Sequence, residues 1–288
     1  MKKNFLDLEE KFSDFKKSKI VVVSFPFEKT SSYFKGTRFG PEKIIEASWQ
    51  VELFDEELWF APYKVGISTL RMKPSKIHKK ALNQLEKKIE KILNLKKFPI
   101  ILGGEHSITI GSLKAILKKF QKFTLLQFDA HLDLRDSWLG SRLSHAAVMR
   151  RCLEFDKNIN LVQIGIRNVS EEEKLFLEKN KNRIKTFFAK DKKKWQKNKI
   201  LKFCQKNVFL TFDFDVLDSS IMPSVGTPEP GGLDWNEILN LLKMICQKRK
   251  IITADFIEFC PIKGLIAPDF LAAKLIYKFI GYLVKYNL

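Results

Sequence analysis

Ile20-Val21-Val22-Val23 is apolar at every position. A strand with one wet face alternates apolar and polar residues, so an unbroken apolar run is the pattern of a parallel strand covered by helices on both sides. Similar short runs recur at Tyr63–Ile67, Phe98–Leu102, Phe123–Phe128, Leu161–Ile166, Ile184–Phe188, Val208–Phe212 and Ile251–Phe256, so that with Ile20–Phe25 there are eight candidate strands. Between them lie amphipathic segments. Ile77–Leu95 places Ile77, Ala81, Leu85, Ile89 and Ile92 on one helical stripe among lysines. Asp234–Cys246 opens on an aspartate suited to capping a helix, and Phe270–Leu283 continues the pattern. The lysine-rich Lys179–Lys206, interrupted by Phe187, Trp195, Ile200 and Phe203, reads as a solvated helix with an apolar face. Strand–helix alternation predicts one parallel α/β sheet, and neither a repeat nor a Gly/Ser/Pro linker divides residues 1–288.

Composition narrows the partners. At 45% hydrophobic residues the chain can fill a sizeable core, which excludes disorder throughout. No uncharged apolar run approaches the roughly 18 residues of a membrane span, and Asp7, Glu9 and Glu10 interrupt the N-terminus before a signal-peptide core forms. Cys152, Cys204, Cys246 and Cys260 are scattered without a CxxC pair, which fits a reducing cytoplasm. The net charge of +19 is almost all lysine spread over helix-like stretches. Lacking concentration or interleaved aromatics, it points to no nucleic-acid partner.

The chemistry collects at strand ends. His106 lies in Gly103-Gly104-Glu105-His106-Ser107, after Phe98–Leu102; Asp129-Ala130-His131-Leu132-Asp133 follows Phe123–Phe128; Asp213-Phe214-Asp215 follows Val208–Phe212; His145 stands in Leu143-Ser144-His145-Ala146. Open parallel sheets bind ligands outside the carboxyl ends of their strands, so three neighbouring strands are expected to aim these groups into one crevice. Because strand side chains alternate, Asp-x-His-x-Asp and Asp-x-Asp each put their acids on one side. Two imidazoles and four carboxylates in a small volume repel unless cations neutralise them, and that much negative charge suits two divalent ions. An oxygen-rich donor set with a minority of nitrogen and no cysteine favours Mn2+ over Zn2+. Taken singly, each motif is as compatible with a helix cap or a solvated strand end; their recurrence at successive strand ends is what carries the reading. His78, on the lysine-rich helix, is given no role.

Together these motifs resemble the signatures of the ureohydrolases, most closely the agmatinases, over nearly the whole chain. Gly36-Thr37-Arg38-Phe39-Gly40-Pro41 is similar to that family's N-terminal segment, Gly226-Thr227-Pro228-Glu229-Pro230-Gly231-Gly232-Leu233 to its proline–glycine loop, and Asp255-Phe256-Ile257-Glu258-Phe259-Cys260-Pro261 to its last site strand. The resemblance implies an α/β/α sandwich around an eight-stranded parallel sheet in a single ureohydrolase domain, a homo-oligomer of three or six chains, and two Mn2+ ions. It implies that His106, Asp129, Asp133 and Asp213 hold one ion and Asp129, His131, Asp213 and Asp215 the other. It further implies that Glu258 binds the guanidinium, that Asp133 takes a proton from a metal-bridging hydroxide, and that His145 delivers a proton to the leaving amine.

The expected reaction is hydrolysis of agmatine to putrescine and urea, as in polyamine biosynthesis. The arginase pattern is not reproduced, since Asp133 is followed by Leu134-Arg135 and Arg167 by Asn168. Aminopropylagmatine, guanidinobutyrate and arginine stand as alternatives, and a basic nucleic-acid-binding protein that retains the site stands further off. A one-zinc deacetylase-like site is disfavoured by the presence of both His106 and Asp133. Ser219 replaces a proline usual in the family and Ser224 a glycine, so the loop Ser219–Val225 is expected to be looser or differently shaped.

Overall fold

The computed structural model describes residues 3–288. Strands β1 (Ile20–Phe25), β2 (Ile67–Arg71), β3 (Phe98–Gly103), β4 (Thr124–Phe128), β5 (Asn160–Ile166), β6 (Ile184–Phe188), β7 (Asn207–Asp213) and β8 (Lys250–Ile257) form one eight-stranded sheet in the order β2-β1-β3-β8-β7-β4-β5-β6. Every pairing is parallel. The helices are α1 (Glu10–Ser13), α2 (Gly40–Ser48), α3 (His78–Asn94), α4 (Thr109–Leu117), α5 (Val148–Phe155), α6 (Glu171–Lys179), α7 (Lys197–Phe203), α8 (Trp235–Lys248) and α9 (Ile266–Tyr286).

The strand period sorts side chains into two cores. Ile20 and Val22 join Ile44, Ile245 and Ile276 of α2, α8 and α9 on one face; Val21 and Val23 join Leu85, Leu113 and Met149 of α3, α4 and α5 on the other. The expected three-layer α/β/α sandwich is therefore present. The predicted cap of α8 also forms. The Asp234 carboxylate accepts from Glu237 N at 2.8 Å and the Glu237 carboxylate accepts from Asp234 N at 2.9 Å, satisfying two otherwise unpaired donors.

Two expectations fail locally. The run Tyr63–Ile67 is mostly not strand: Pro62–Val65 is a 3-10 turn closed by Gly66 at φ 84, and β2 begins at Ile67. A Cβ on Gly66 would lie 2.7 Å from Ser18 Cα, so close backbone packing as well as φ demands glycine there. Lys179–Lys206 is not one helix but β6, a 3-10 segment (Ala189–Lys194) and the short α7.

Strand order positions the site. The carboxyl ends of β3, β8, β7 and β4 lie side by side at the middle of the sheet, with Leu102 opposite Phe256, Asp213 opposite Ile257 and Phe128 opposite Phe212. The expected neighbours β3 and β7 are thus separated by β8. Below these ends Phe128, Phe212, Phe256 and Phe279 pack in series, each pair of ring centroids 5.5 Å apart. Such aromatic pairs contribute about 0.5–1.5 kcal/mol each beyond area burial and give the acids above them a stiff apolar floor.

Candidate metal centre and active site

The Gly103-Gly104 turn ends β3 against Phe27. A Cβ on Gly104 would sit 2.0 Å from the Phe27 carbonyl oxygen, so only glycine lets the chain pass. The turn delivers His106, which is buried with Nδ1 turned to the acids: 2.8 Å from Asp133 Oδ2, 3.1 Å from Asp129 Oδ2 and 3.5 Å from Asp213 Oδ2. None of these oxygens is in hydrogen-bond geometry, and Nδ1 is left without a hydrogen-bond partner. The other nitrogen, Nε2, is 3.0 Å from Thr211 Oγ1, which leads by way of Thr109 to the Asp255 carboxylate. A buried imidazole whose far nitrogen is hydrogen-bonded while its near nitrogen faces converging carboxylates has the form of a metal ligand.

The acids are fixed by their own backbones. Asp129 Oδ1 accepts from His131 N at 2.6 Å, Asp213 Oδ1 from Asp215 N at 2.9 Å, and Asp215 Oδ1 from Ala130 N at 2.9 Å. His131 Nδ1 lies 2.8 Å from Asp215 Oδ2 and 3.6 Å from Asp129 Oδ1. The donors fall into two sets able to hold an ion, His106–Asp129–Asp213 and Asp129–His131–Asp215, which share Asp129. Asp133, at φ 54, bends the chain so that its carboxylate returns to His106.

The electrostatics show strain that cations would relieve. Burial first, then the charges of Asp215 and Asp129, pushes the Asp213 carboxyl far above its ordinary range. Burial and Asp129 raise Asp133 to about 7. Burial and Glu105 raise Glu258. The donor chemistry therefore fits a pair of divalent cations.

Glu258 leaves β8 at φ 62, next to the turn: its N donates to Gly104 O at 2.8 Å, and its Oε1 accepts from His106 N at 2.6 Å. It lines, with His106, His131, Asp133, Asp213, Asp215 and His145, a cavity of about 170 Å3 whose outer wall carries Tyr33, Phe34, Arg135, Trp138 and Asn168. All of the anticipated site residues are brought together, and all line the cavity except Asp129, which is fully buried behind them. His145 stands apart from the two ion-holding sets.

Other groups at the site carry no motif of their own. Gln127 on β4 donates to Asp129 Oδ2 at 2.8 Å, Gln163 on β5 donates to Gln127 at 2.7 Å, and Thr186 on β6 donates to Gln163 at 2.9 Å, a buried polar ladder behind the shared aspartate. Arg167 donates to the carbonyls of Asp215, Glu229 and Pro230 at 2.6, 2.7 and 3.0 Å, pinning the proline–glycine loop to the site strand. The segment Ser219–Val225 is not loose. Asp218 O accepts from Ile221 N and Met222 N, the Asp218 carboxylate holds Ser220, Gly231 and Gly232, and Ser224 O accepts from Cys260 N.

The model of the arginase family matches residues 18–281. The chain belongs to the arginase family. It is 38% identical over 292 aligned positions to the N(1)-aminopropylagmatine ureohydrolase of Synechocystis, covering 97% of this chain and 94% of that one. The crystal structure of the agmatine ureohydrolase of Thermoplasma volcanium is 30% identical, with a TM-score of 0.88 over 99% of this chain and 96% of that one. A formiminoglutamase of Trypanosoma cruzi, solved with Mn2+, shares the fold at 20% identity and TM-score 0.87, over 98% of each chain. This arginase-family chain is thus a hydrolase acting on guanidino groups; the family binds a binuclear metal site, and the two donor sets are the candidates for it here. Among its described residues no helix is long and apolar enough to cross a membrane.

Proposed function

We propose that the chain is a manganese-dependent ureohydrolase of agmatine-type substrates, releasing urea and a polyamine. The observation that carries this is the pair of donor sets sharing Asp129, set beside Glu258 in one cavity. His106, Asp129, Asp133 and Asp213 would hold one ion and Asp129, His131, Asp213 and Asp215 the other. When bound, such ions lower the pKa of water enough to supply a nucleophile at neutral pH.

The chain's own residues do the rest. Glu258 keeps Oε1 on the His106 amide and offers Oε2 to the planar guanidinium, whose N–H groups fit carboxylate oxygens. Asp133, whose carboxylate is turned back to His106 at 2.8 Å, takes a proton from the oxygen side. His145 moves a proton to the departing nitrogen. The wall toward the substrate's remaining positive charge carries Tyr33, Phe34 and Trp138, with Glu173 also in the lining.

A second reading, the aminopropyl extension of agmatine, is favoured by the 38% identical relative of that name. Guanidinobutyrate would place its carboxylate near Arg135, the cation of the cavity wall, whose guanidinium lies 4.4 Å from the Trp138 ring. Arg142 is held by Asp136 and does not line the cavity. The test is urea release from agmatine, aminopropylagmatine, guanidinobutyrate and arginine by Mn2+-loaded protein. Urea from either of the first two supports the reading; a preference for arginine, or no urea from any, overturns it. The reading includes residues 1–288 acting as one catalytic domain, in the cytoplasm, as a trimer or hexamer. A monomer by light scattering at micromolar concentration would remove the last part.

A further inference from the structure

Beyond the ligand sets, a buried carboxylate connects two histidines. Glu105 is fully buried beside His106 and accepts from four donors. Its Oε2 takes the backbone N–H groups of Lys29 and of Thr30, the latter at 2.5 Å. Its Oε1 takes the hydroxyls of Thr30 at 2.9 Å and Ser107 at 2.5 Å. Each hydroxyl also touches an imidazole: Thr30 Oγ1 is 3.1 Å from His145 Nδ1, and Ser107 Oγ is 3.0 Å from His78 Nε2.

Proton counting then fixes both rings. A hydroxyl has one proton and two lone pairs, and a carboxylate can only accept. Thr30 and Ser107 must each spend their proton on Glu105, so toward the imidazole each can only accept. The imidazole nitrogen facing it must therefore be the N–H. We infer that Glu105, acting through Thr30 and Ser107, is a positioning residue that fixes the proton sites of His145 and His78, holding neutral His145 with its proton on Nδ1 and Nε2 bare. The backbone amide of His145 also donates to Thr30 Oγ1, at 3.1 Å, which fills that oxygen's other lone pair and locks the arrangement. Ser144 Oγ, 3.4 Å from Nδ1, is too distant to compete.

This has a consequence for the reaction, and there it rests on the proposed function. Hydrolysis joins the water oxygen to the guanidinium carbon, breaks the carbon–nitrogen bond to the alkyl amine, and moves the water's protons to that nitrogen. A resting His145 with bare Nε2 cannot begin as a proton donor. It takes one of the water's two protons at Nε2, passes that proton to the amine, and returns to its starting state, while the proton taken by Asp133 ends on the same nitrogen as the ammonium product forms. Burial disfavours the charged ring, which keeps the resting form neutral. His145 thus acts as base before it acts as acid, and Thr30 determines which nitrogen does the work.

The isosteric Glu105→Gln tests this sharply. Its amide oxygen must stay on the Lys29 and Thr30 backbone donors, so its NH2 faces the two hydroxyls. Both hydroxyls then become acceptors from Gln and turn their protons to the rings, and both tautomers invert. The experiment is 15N NMR of the imidazoles in protein loaded with diamagnetic Mg2+, with four histidines to resolve and His145→Asn to assign the key one. Expected are Nδ1–H at His145 and Nε2–H at His78 in the native chain, and the reverse in Glu105→Gln. Turnover of the Mn2+ form should fall on the order of 100-fold in Glu105→Gln and in Thr30→Val, with KM within about threefold, and Thr30→Ser should restore it. Nε2–H at His145 in the native protein, or unchanged rings in Glu105→Gln, overturns the inference. Should that variant misfold, Thr30→Val against Thr30→Ser still decides: equal turnover in the two refutes it. The spectra need no substrate, so absence of urea would count against the proposed reaction and a wrong tautomer against this inference alone.

Discussion

Glu258→Gln probes the guanidinium contact most directly. The side chain is fixed at one end, where Oε1 accepts from His106 N at 2.6 Å, so the replacement amide must keep its oxygen there. Its NH2 is thereby forced toward the cavity, where a guanidinium presents only donors. One charge-assisted hydrogen bond is lost, about 1.5–3 kcal/mol, and a donor–donor clash replaces it. At about 1.4 kcal/mol per decade this is roughly 10- to 150-fold in kcat/KM before the clash is added. The clash places the expectation at the upper end. The assay is urea release across a range of agmatine and aminopropylagmatine concentrations in saturating Mn2+, with metal content measured in parallel, since Glu258 belongs to neither donor set. A loss smaller than about threefold with both metals retained would refute the contact between Oε2 and the guanidinium. Loss of metal would show instead that Glu258 is a ligand.

Asp129→Ala removes the acid common to both donor sets, so metal analysis after Mn2+ loading should fall from two ions per chain to at most one, with urea release abolished; one tightly held zinc in the native chain would contradict the binuclear site. Away from the site, Lys278 is buried in α9 with Asp55 at 3.0 Å and Glu57 at 2.9 Å. Lys278→Ala leaves buried Asp55 without its cation, while Glu57 keeps Lys243 at 2.8 Å, and should cost about 3–5 kcal/mol of unfolding free energy, read as a lower denaturant midpoint; an unchanged midpoint would refute this. Against the opposing effect of burial, Lys243, Lys278 and Tyr282 pull the Glu57 carboxyl down to about 2. A carboxyl depressed in the folded state stabilises above its unfolded value near 4.5 and loses that contribution as pH falls toward 2, so Glu57→Gln should flatten the acid limb of the stability curve in that window. Parallel native and variant curves there would count against it.

The strands were legible because parallel strands covered on both faces are continuous apolar runs, and the candidate site because its histidines and acids sit in short motifs at strand ends. What failed did so for identifiable reasons. Tyr63 and Val65 are as apolar as a strand, but Pro62 and Gly66 turn the chain before Ile67. In Lys179–Lys206 the lysines hid a break between an edge strand and a short helix. Gln127, Gln163, Thr30 and Glu105 were invisible as site residues because their meaning depends on which strands and loops become neighbours. Gln163 reaches Gln127 only because β5 lies beside β4, and Thr30 meets Glu105 across 75 positions. His78, given no role on its lysine-rich helix, is buried against Ser107.

The place of β8 has a consequence for how the protein comes to exist. Among the described strands it is the last to be synthesised, yet it is inserted between β3 and β7, joining β2-β1-β3 to β7-β4-β5-β6. Until residues 250–257 leave the ribosome, those two groups have no shared edge, and His106 is not yet held against Asp129 and Asp213. Between completion of β7 and emergence of β8 the nascent chain therefore carries two open, apolar strand edges, and these are sites for misassociation and chaperone capture. Capture of the ion that needs His106, and with it the complete pair, should appear only at the end of translation, in one step with closure of the sheet. Supplying the metal to a ribosome-arrested chain that stops short of β8 should fill at most the Asp129–His131–Asp215 set, whose strands β4 and β7 pair without β8.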